Sequence, residues 1–454
     1  MIHCYKLNGY NIVLDVYSGS VHVMDALSFE LVRNYDKTPD LLDFAKKNFP
    51  NEKIEDIEEC IEEIENLKEN GVLFSKNPLE NIKIAKKSKE IKALCLHVAH
   101  TCNLVCEYCF AAQGKFGGEK AIMSFDVAKT AIDFLIKNSG DHHNLEVDFF
   151  GGEPLLNFDV VKETVDYAKK TEKKYNKNFR FTFTTNGVLL NDEIIDYLNE
   201  NMYNVVLSLD GRPEIHNYFR KDAKGKGSYD KAVENFKKLV EKRQGKNYYI
   251  RGTFTHLNPD FLNDIIHLAD LGFDKLSMEP VVASKDDPYA LTEEDKKIVM
   301  KNYEELANYM LKLEKQGRKI EFYHYNIDLK NGPCLQKRLK GCGSGSEYFA
   351  VTPNGDLYPC HQFVSNPGFK MGDIYNGINN AKKHEDFLTN DISKKQKCED
   401  CFAKLYCAGG CAANAYHSTG DINDVYEDGC DLFKKRIECA IMMQVDRQLN
   451  QSDH

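Results

Sequence analysis

The chain has 454 residues, 42% of them apolar, which is room for about three domains at roughly 150 residues each. Its 60 basic and 70 acidic residues leave a net charge of -10, which disfavours nonspecific nucleic-acid binding because that rests on Lys and Arg. Residues 1–9 lack the basic and apolar regions of a signal peptide, and no apolar run approaches the ~20 residues that span a bilayer, so the expected setting is cytoplasmic, without membrane or nucleic acid.

In chain order, the first segment alternates as strands do. Tyr5 and Leu7 lead to the turn Asn8-Gly9, Ile12, Leu14 and Val16 to the turn Ser18-Gly19, and residues 21–24 form a third strand. Helical patterns follow, the clearest placing Ile54, Ile57, Ile61 and Ile64 on one face before Asn70-Gly71 stops it. Residues 1–80 therefore predict a small strand-then-helix module. The charged stretch that follows, with residues 81–90 at its centre, reads as a linker whose lysines are solvated.

From Ile91 apolar strand runs alternate with amphipathic helices, at residues 93–98, 145–150, 181–185, 205–209, 249–254 and 276–282. This predicts a parallel α/β sheet of six units over 91–325, a partial barrel rather than the closed eight. Residues 326–454 are loop-rich and cysteine-rich, and bound metal is the expected source of their stability.

Fifteen cysteines in a long cytosolic chain point to metal ligation. Cys102-x3-Cys106-x2-Cys109 follows the first strand, at the end of the sheet where parallel α/β folds place their chemistry. Soft thiolates select iron-sulfur clusters, zinc or Cu(I). Three local ligands leave one position open; structural zinc wants four, and His97 or His100 are candidates to complete such a site. The isolated Cys4, Cys60, Cys95 and Cys439 read as small buried hydrophobes.

The CxxxCxxC motif, with Gly151-Gly152-Glu153-Pro154 after the second strand and Ser208-Leu209-Asp210-Gly211 after the fourth, resembles the radical S-adenosylmethionine (SAM) superfamily over residues 91–325. The resemblance implies a [4Fe-4S] cluster on Cys102, Cys106 and Cys109, and SAM contacts from Tyr108, Gly151, Gly152, Glu153, Pro154, Asn186, Ser208 and Asp210, with Arg220 a candidate carboxylate partner. Glycines would let the backbone approach the ligand. It further implies reductive cleavage of SAM to a 5'-deoxyadenosyl radical that takes hydrogen from a substrate carbon, with the electron from a low-potential donor.

Cys342, Cys360, Cys398, Cys401, Cys407, Cys411 and Cys430 resemble SPASM domains. That family implies one [4Fe-4S] cluster on Cys398, Cys401, Cys407 and Cys430 and another on Cys342, Cys360 and Cys411, three clusters in all. Cys334 is a possible further ligand, seven residues from Cys342; two zinc ribbons are the bland alternative. The N-terminal module resembles the winged-helix-like recognition elements of enzymes that modify ribosomally made peptides. The whole chain, from HCYKLNGYNIVLDVYSG to GCGSGSEYFAVTPNGDLYPCHQF, resembles the maturases of Cys-rich SCIFF peptides, which implies a Cys-rich precursor peptide as partner and thioether formation from a cysteine sulfur to an acceptor carbon. A formylglycine-forming sulfatase-type maturase and a noncatalytic zinc-stapled scaffold are the alternatives. No catalytic acid or base is identified.

Overall fold

The computed structural model describes residues 1–80, 86–329 and 338–451. The N-terminal alternation becomes an antiparallel meander of β1 (Ile2–Leu7), β2 (Tyr10–Asp15) and β3 (Val21–Met24). Its first turn requires positive φ twice, met by Asn8 at 52° and Gly9 at 80°. Three helices follow. Asp25 caps α1 (Ala26–Asn34) by accepting the Ser28 N–H, Asp40 caps α2 (Leu41–Asn48) in the same way, and α3 (Ile54–Glu69) buries Ile57 and Ile64. Ile54, expected on that inner face, is 48% exposed because it opens the helix outside the packed stretch.

The second sheet carries six parallel strands side by side: β4 (Ala93–His100), β6 (Asn144–Gly151), β7 (Asn178–Thr185), β8 (Asn204–Ser208), β9 (Asn247–Phe254) and β10 (Lys275–Pro280), with the short β5 (Ala121–Ile122) antiparallel to β4. Between them run α4 (Phe125–Asn138), α5 (Phe158–Tyr175), α6 (Asp192–Asn201), α7 (Pro213–Phe219), α8 (Tyr229–Arg243) and α9 (Phe261–Asp270), and α10 (Glu293–Lys315) precedes the edge strand β11 (Glu321–Phe322). This is the six-unit partial barrel. Its strands bury one side chain in two: on β7 Phe179, Phe181 and Phe183 are buried while Arg180, Thr182 and Thr184 lie on the other, half-buried face. That second face lines the concave interior and is polar, as a site requires.

The sheet does not stop at the barrel. β12 (Tyr348–Val351) pairs in parallel with the free edge of β4, and β13 (Asp356–Tyr358), β14 (Gly372–Asp373) and β15 (Gly377–Ile378) continue it antiparallel. With neighbours on both sides, β4 is buried along its whole length. The cysteine-rich region also has an apolar core that its scattered sequence concealed: Phe363, Phe369 and Phe387 are buried in mutual ring contact. This packing supplies stability beside that expected from bound metal. Around it lie α11 (Ala381–Leu388), α12 (Lys404–Cys407), α13 (Ala412–Thr419) and the long α14 (Glu427–Gln451).

The described end of the linker, residues 86–90, is held at Lys87. The Lys87 N–H donates to Leu388 O and its Nζ to Cys342 O at 3.2 Å, so this lysine is engaged, not solvated as expected; a backbone carbonyl offers it a partner that water would otherwise supply. No helix among the described residues is long and apolar enough to cross a membrane.

Candidate active site

The C-terminal ends of β4 and β6 are locked together backbone to backbone. The Gly152 N–H donates to Ala99 O at 2.8 Å and the Glu153 N–H to Thr101 O at 3.0 Å. A Cβ at Gly151 would stand 2.3 Å from Ala99 O, and one at Gly152 would stand 2.1 Å from Thr101 O and 3.0 Å from Gly114 Cα. On the side where a Cβ would stand, both glycines pack against the strand and loop bearing Cys102, and the space a side chain would take is filled by chain. Gly114, unremarked in the sequence, is the other half of this contact.

Glu153 is fully buried. Its carboxylate accepts from Leu155 N at 3.1 Å, Thr185 Oγ1 at 2.9 Å and Asn186 N at 2.8 Å, so it ties the loop after β6, which begins at the buried Pro154, to the end of β7. Burial pushes its carboxyl up to about 7 against those hydrogen bonds. Asn186 in turn donates to Asn103 Oδ1 at 2.8 Å and to Cys102 Sγ at 3.7 Å. Both side chains are used to orient the cysteine loop.

A second knot lies after β8. Arg220 grips Asp210 bidentately, Nε at 2.8 Å and Nη2 at 3.1 Å, and Tyr108 Oη donates to Asp210 Oδ2 at 2.5 Å. Asp210 is fully buried, which by itself would raise its carboxyl, but the Arg220 guanidinium and the donated hydrogen bonds hold it below the usual carboxylate range. The bidentate carboxylate partner expected for Arg220 is thus Asp210 itself. Because Tyr108 sits between Cys106 and Cys109, this knot fixes the other end of the cysteine loop. Ser208 ends β8 half-buried on the concave face, beside Arg251 of β9 in the sheet register.

His97 and His100 do not turn toward the thiols. They are buried, His97 Nδ1 lies 3.1 Å from His100 Nε2, and both rings pack on Phe116. Burial lowers both imidazoles, His100 to about 4. Completion of a zinc site by either is not what the geometry offers.

Sequence reasoning missed a charged group on the concave face at the end of β10. Glu279 Oε1 meets His324 Nε2 at 3.2 Å and Oε2 lies 3.5 Å from Arg436 Nη2, while Arg436 Nε donates to Tyr303 Oη at 2.8 Å. These residues come from β10, the turn after β11, α14 and α10, so no spacing announces them. Next to them His361 packs between Phe110 and Phe150, with ring centroids 5.4 and 5.0 Å away. Phe110 follows Cys109 and His361 follows Cys360, so one aromatic step joins the two cysteine loops.

The fourteen described cysteines are all free thiols. Burial pushes Cys102 up to about 12, Cys106 to about 11, Cys360 to about 12 and Cys407 to about 12, with neighbouring cysteines adding to the effect. Those neighbours define three groups: Cys102 with Cys106 and Cys109; Cys360 with Cys342 and Cys411; and Cys407 with Cys398, Cys401 and Cys430. Among the described residues no three His, Cys, Asp or Glu side chains converge tightly enough to hold a single ion. Three all-sulfur neighbourhoods fit soft metal clusters, whose binding must displace the thiol protons; the group of Cys342, Cys360 and Cys411 is the open one, with Cys342 and Cys411 exposed. Cys334 lies outside the described residues. Cys95 and Cys439 are buried, as small hydrophobes should be; Cys4 and Cys60, expected to be so too, are only half-buried, because they pack at the rim of the small N-terminal core.

A parallel partial barrel with a cysteine loop at the C-terminal end of its first strand, continued by a cysteine-rich sheet extension, defines the class of molecule. Residues 96–270 match the radical SAM superfamily and residues 342–402 an iron-sulfur cluster-binding domain, SPASM. The cysteine-type anaerobic sulfatase-maturating enzyme of Clostridium novyi is 26% identical over 375 residues, 77% of this chain and 95% of that one. An uncharacterized protein of Methanocaldococcus jannaschii is 31% identical over 276 residues, 60% of this chain and 85% of that one. Of solved structures, anSMEcpe with bound AdoMet and Cp18Cys peptide gives a TM-score of 0.66 at 22% identity, covering 80% of this chain and 99% of that one. Streptococcus suis SuiB bound to precursor peptide SuiA gives 0.52 at 16% identity, covering 92% and 96%. The chain belongs to the radical SAM superfamily and carries a SPASM domain.

Proposed function

We propose that the chain is a radical SAM maturase that joins a cysteine sulfur to a carbon of an acceptor residue in a small Cys-rich, ribosomally made peptide, forming a thioether, and that it holds three [4Fe-4S] clusters. The observation that carries this reading is the grouping of the auxiliary thiols into one set of four and one set of three, the latter reached from the barrel mouth through Phe150 and His361. Among the described residues this second set has three thiols, and with Cys334 outside it a coordination position would be left for sulfur from the peptide. With SAM, a cluster on Cys102, Cys106 and Cys109 would supply a carbon-centred radical, after an electron from a low-potential donor, that takes a hydrogen atom from the acceptor carbon; the cysteine thiol gives up its proton as the C–S bond forms, and the surplus electron would leave through the auxiliary clusters.

The chain's own residues do the positioning. Glu153, Asn186 and the Asp210, Arg220 and Tyr108 knot fix the cysteine loop, and Gly151 to Pro154, Ser208 and the backbone beside them form the wall against which SAM would lie. Arg251 and Glu279 give the concave face its charge, and the rings of Phe110, Phe150 and His361 keep water from the space between the two cysteine loops. The N-terminal sheet, whose outer strand is β3, offers an edge for a leader peptide by strand addition.

A second reading, formylglycine formation, is favoured by the sulfatase-maturating relative, which shares 77% of this chain. Against it, anSMEcpe is matched almost whole by 80% of this chain, whereas SuiB with its precursor peptide takes up 92%. The deciding experiment is anaerobic incubation of the iron-reconstituted protein with SAM, reductant and a Cys-rich precursor peptide, followed by tandem mass spectrometry. The expected product has lost two hydrogens, resists alkylation at the bridged cysteine and does not fragment between the joined residues. A product that reacts with carbonyl reagents would establish formylglycine instead, and a colourless, zinc-loaded protein that leaves SAM intact would end both readings. Cys106→Ala abolishes deoxyadenosine formation.

A further inference from the structure

Besides its contacts along α14, the N-terminal module touches a cysteine-bearing loop of the C-terminal region. His3 stacks on Phe402, ring centroids 3.5 Å apart and planes 4° from parallel, and its Nε2 meets Glu438 of α14 at 3.0 Å. Tyr17, in the turn between β2 and β3, lies against Lys404, whose Nζ stands 4.9 Å from the ring centroid and 3.3 Å from the hydroxyl. Phe402 and Lys404 fall between Cys401 and Cys407. The module therefore covers the loop that carries half of the four-thiol set.

Two ammonium groups are buried beside those thiols. Lys404 is 5% exposed and also donates to Glu399 O at 2.9 Å; Lys395 is 3% exposed and donates to Ile422 O at 3.1 Å and Asp424 O at 2.7 Å. The hydrogen-bond partners of both are neutral oxygens, which satisfy the N–H donors without cancelling the charge; the Asp421 and Asp424 carboxylates act on Lys395 from further off. Each stands one turn from a thiol: the Cys398 N–H donates to Lys395 O at 2.8 Å, and the Lys404 N–H to Cys401 O at 3.2 Å. Two further lysines near this set, Lys397 and Lys434, lie toward the surface and are paired with Glu427 and Asp431, so their charges are offset. A site that gains an electron gains negative charge, and a buried cation stabilises that state far more than the same cation would in water.

Resting on the reading of Cys398, Cys401, Cys407 and Cys430 as ligands of a [4Fe-4S] cluster, we propose that Lys395 and Lys404 raise the reduction potential of that cluster, and that the N-terminal module holds Lys404 in place through Tyr17. The two lysines and Tyr17 are positioning residues: none touches substrate. The module that takes the peptide thereby also sets how readily the distal auxiliary site accepts an electron.

The test is an anaerobic redox titration, followed by electron paramagnetic resonance, of the full-length iron-reconstituted protein with Cys102, Cys106 and Cys109 replaced by alanine to remove the initiating cluster's signal. Lys404→Met at unchanged iron content shifts the midpoint of one auxiliary cluster to more negative potential, Lys404→Arg restores it, and Tyr17→Ala shifts it the same way by less. If Lys404→Met and Tyr17→Ala both titrate with the parent protein at equal iron, the proposal is wrong. Should Lys404→Met lose iron, Tyr17→Ala, which leaves the ligand loop untouched, decides alone, and an unshifted midpoint overturns the proposal. A parent protein that takes up no auxiliary iron would instead refute the ligand assignment beneath it.

Discussion

Glu153 shows how a single buried side chain ties stability to pH. Its folded-state value of about 7 lies above the ~4.3 of an unfolded glutamate, so between those values the folded chain holds a proton that the unfolded chain has released. Stability from this group is therefore complete below the lower value and is lost as pH rises through the higher one. The expected loss is on the order of 2–3 kcal/mol across that window. Urea unfolding of the metal-free protein at pH about 5 and about 7.5 measures it, and Glu153→Gln should flatten the slope; a variant with the parent's slope would show that another group titrates. Gly152 makes a steric prediction beside it. Gly152→Ala places a methyl 2.1 Å from Thr101 O, where backbone cannot yield cheaply, so the cost is about 1–3 kcal/mol or more. Iron bound at the first cysteine loop should fall while the auxiliary iron stays, as counted by iron analysis against a Cys102→Ala control.

At the scale of elements, the strand order is held by devices that no local pattern reveals. Arg243, at the end of α8, is 1% exposed and donates to the carbonyls of Asn247 at 2.6 Å, Met202 at 3.1 Å and Tyr203 at 3.2 Å, and to Asn199 Oδ1 at 3.2 Å. It thus closes the turn from α6 into β8 and the entry into β9 with one side chain. Arg243→Met keeps the bulk but leaves those oxygens dry, a loss of about 3 kcal/mol or more, read as a lowered urea midpoint at unchanged slope. The alternation that predicted the strands was legible because period-two burial is local, as in Phe179, Phe181 and Phe183. Arg243 read as one more basic residue at a helix end, since only Asn247 is near it in sequence and its other partners, Asn199, Met202 and Tyr203, lie 40 to 44 residues away.

Across the whole molecule, α14 acts as the spine between the three regions. It meets β1 and β2 through Glu438 with His3, Met442 with Asn8 and Asp446 with Tyr10, and meets α10 through Arg447, whose Nε lies 2.9 Å from Glu314. Met442 is fully buried in this arrangement. Removal of residues 1–80 should uncover that stretch of α14 and leave a chain that binds hydrophobic dye and self-associates; size-exclusion chromatography and dye fluorescence check it, and a monomeric truncated chain with parent-level fluorescence would show the contact to be dispensable.

Sequence by itself determined the chemistry of the ligands and the kind of sheet, because both are written locally: three thiols within eight residues, and apolar runs of strand length between amphipathic helices. It also announced the turn glycines after β6. What those glycines approach, which carboxylate Arg220 grips, and which ammonium groups stand beside the auxiliary thiols were decided by tertiary structure alone. Those contacts join residues from separate elements, where burial and hydrogen bonding depend on how the layers close and not on neighbours along the chain.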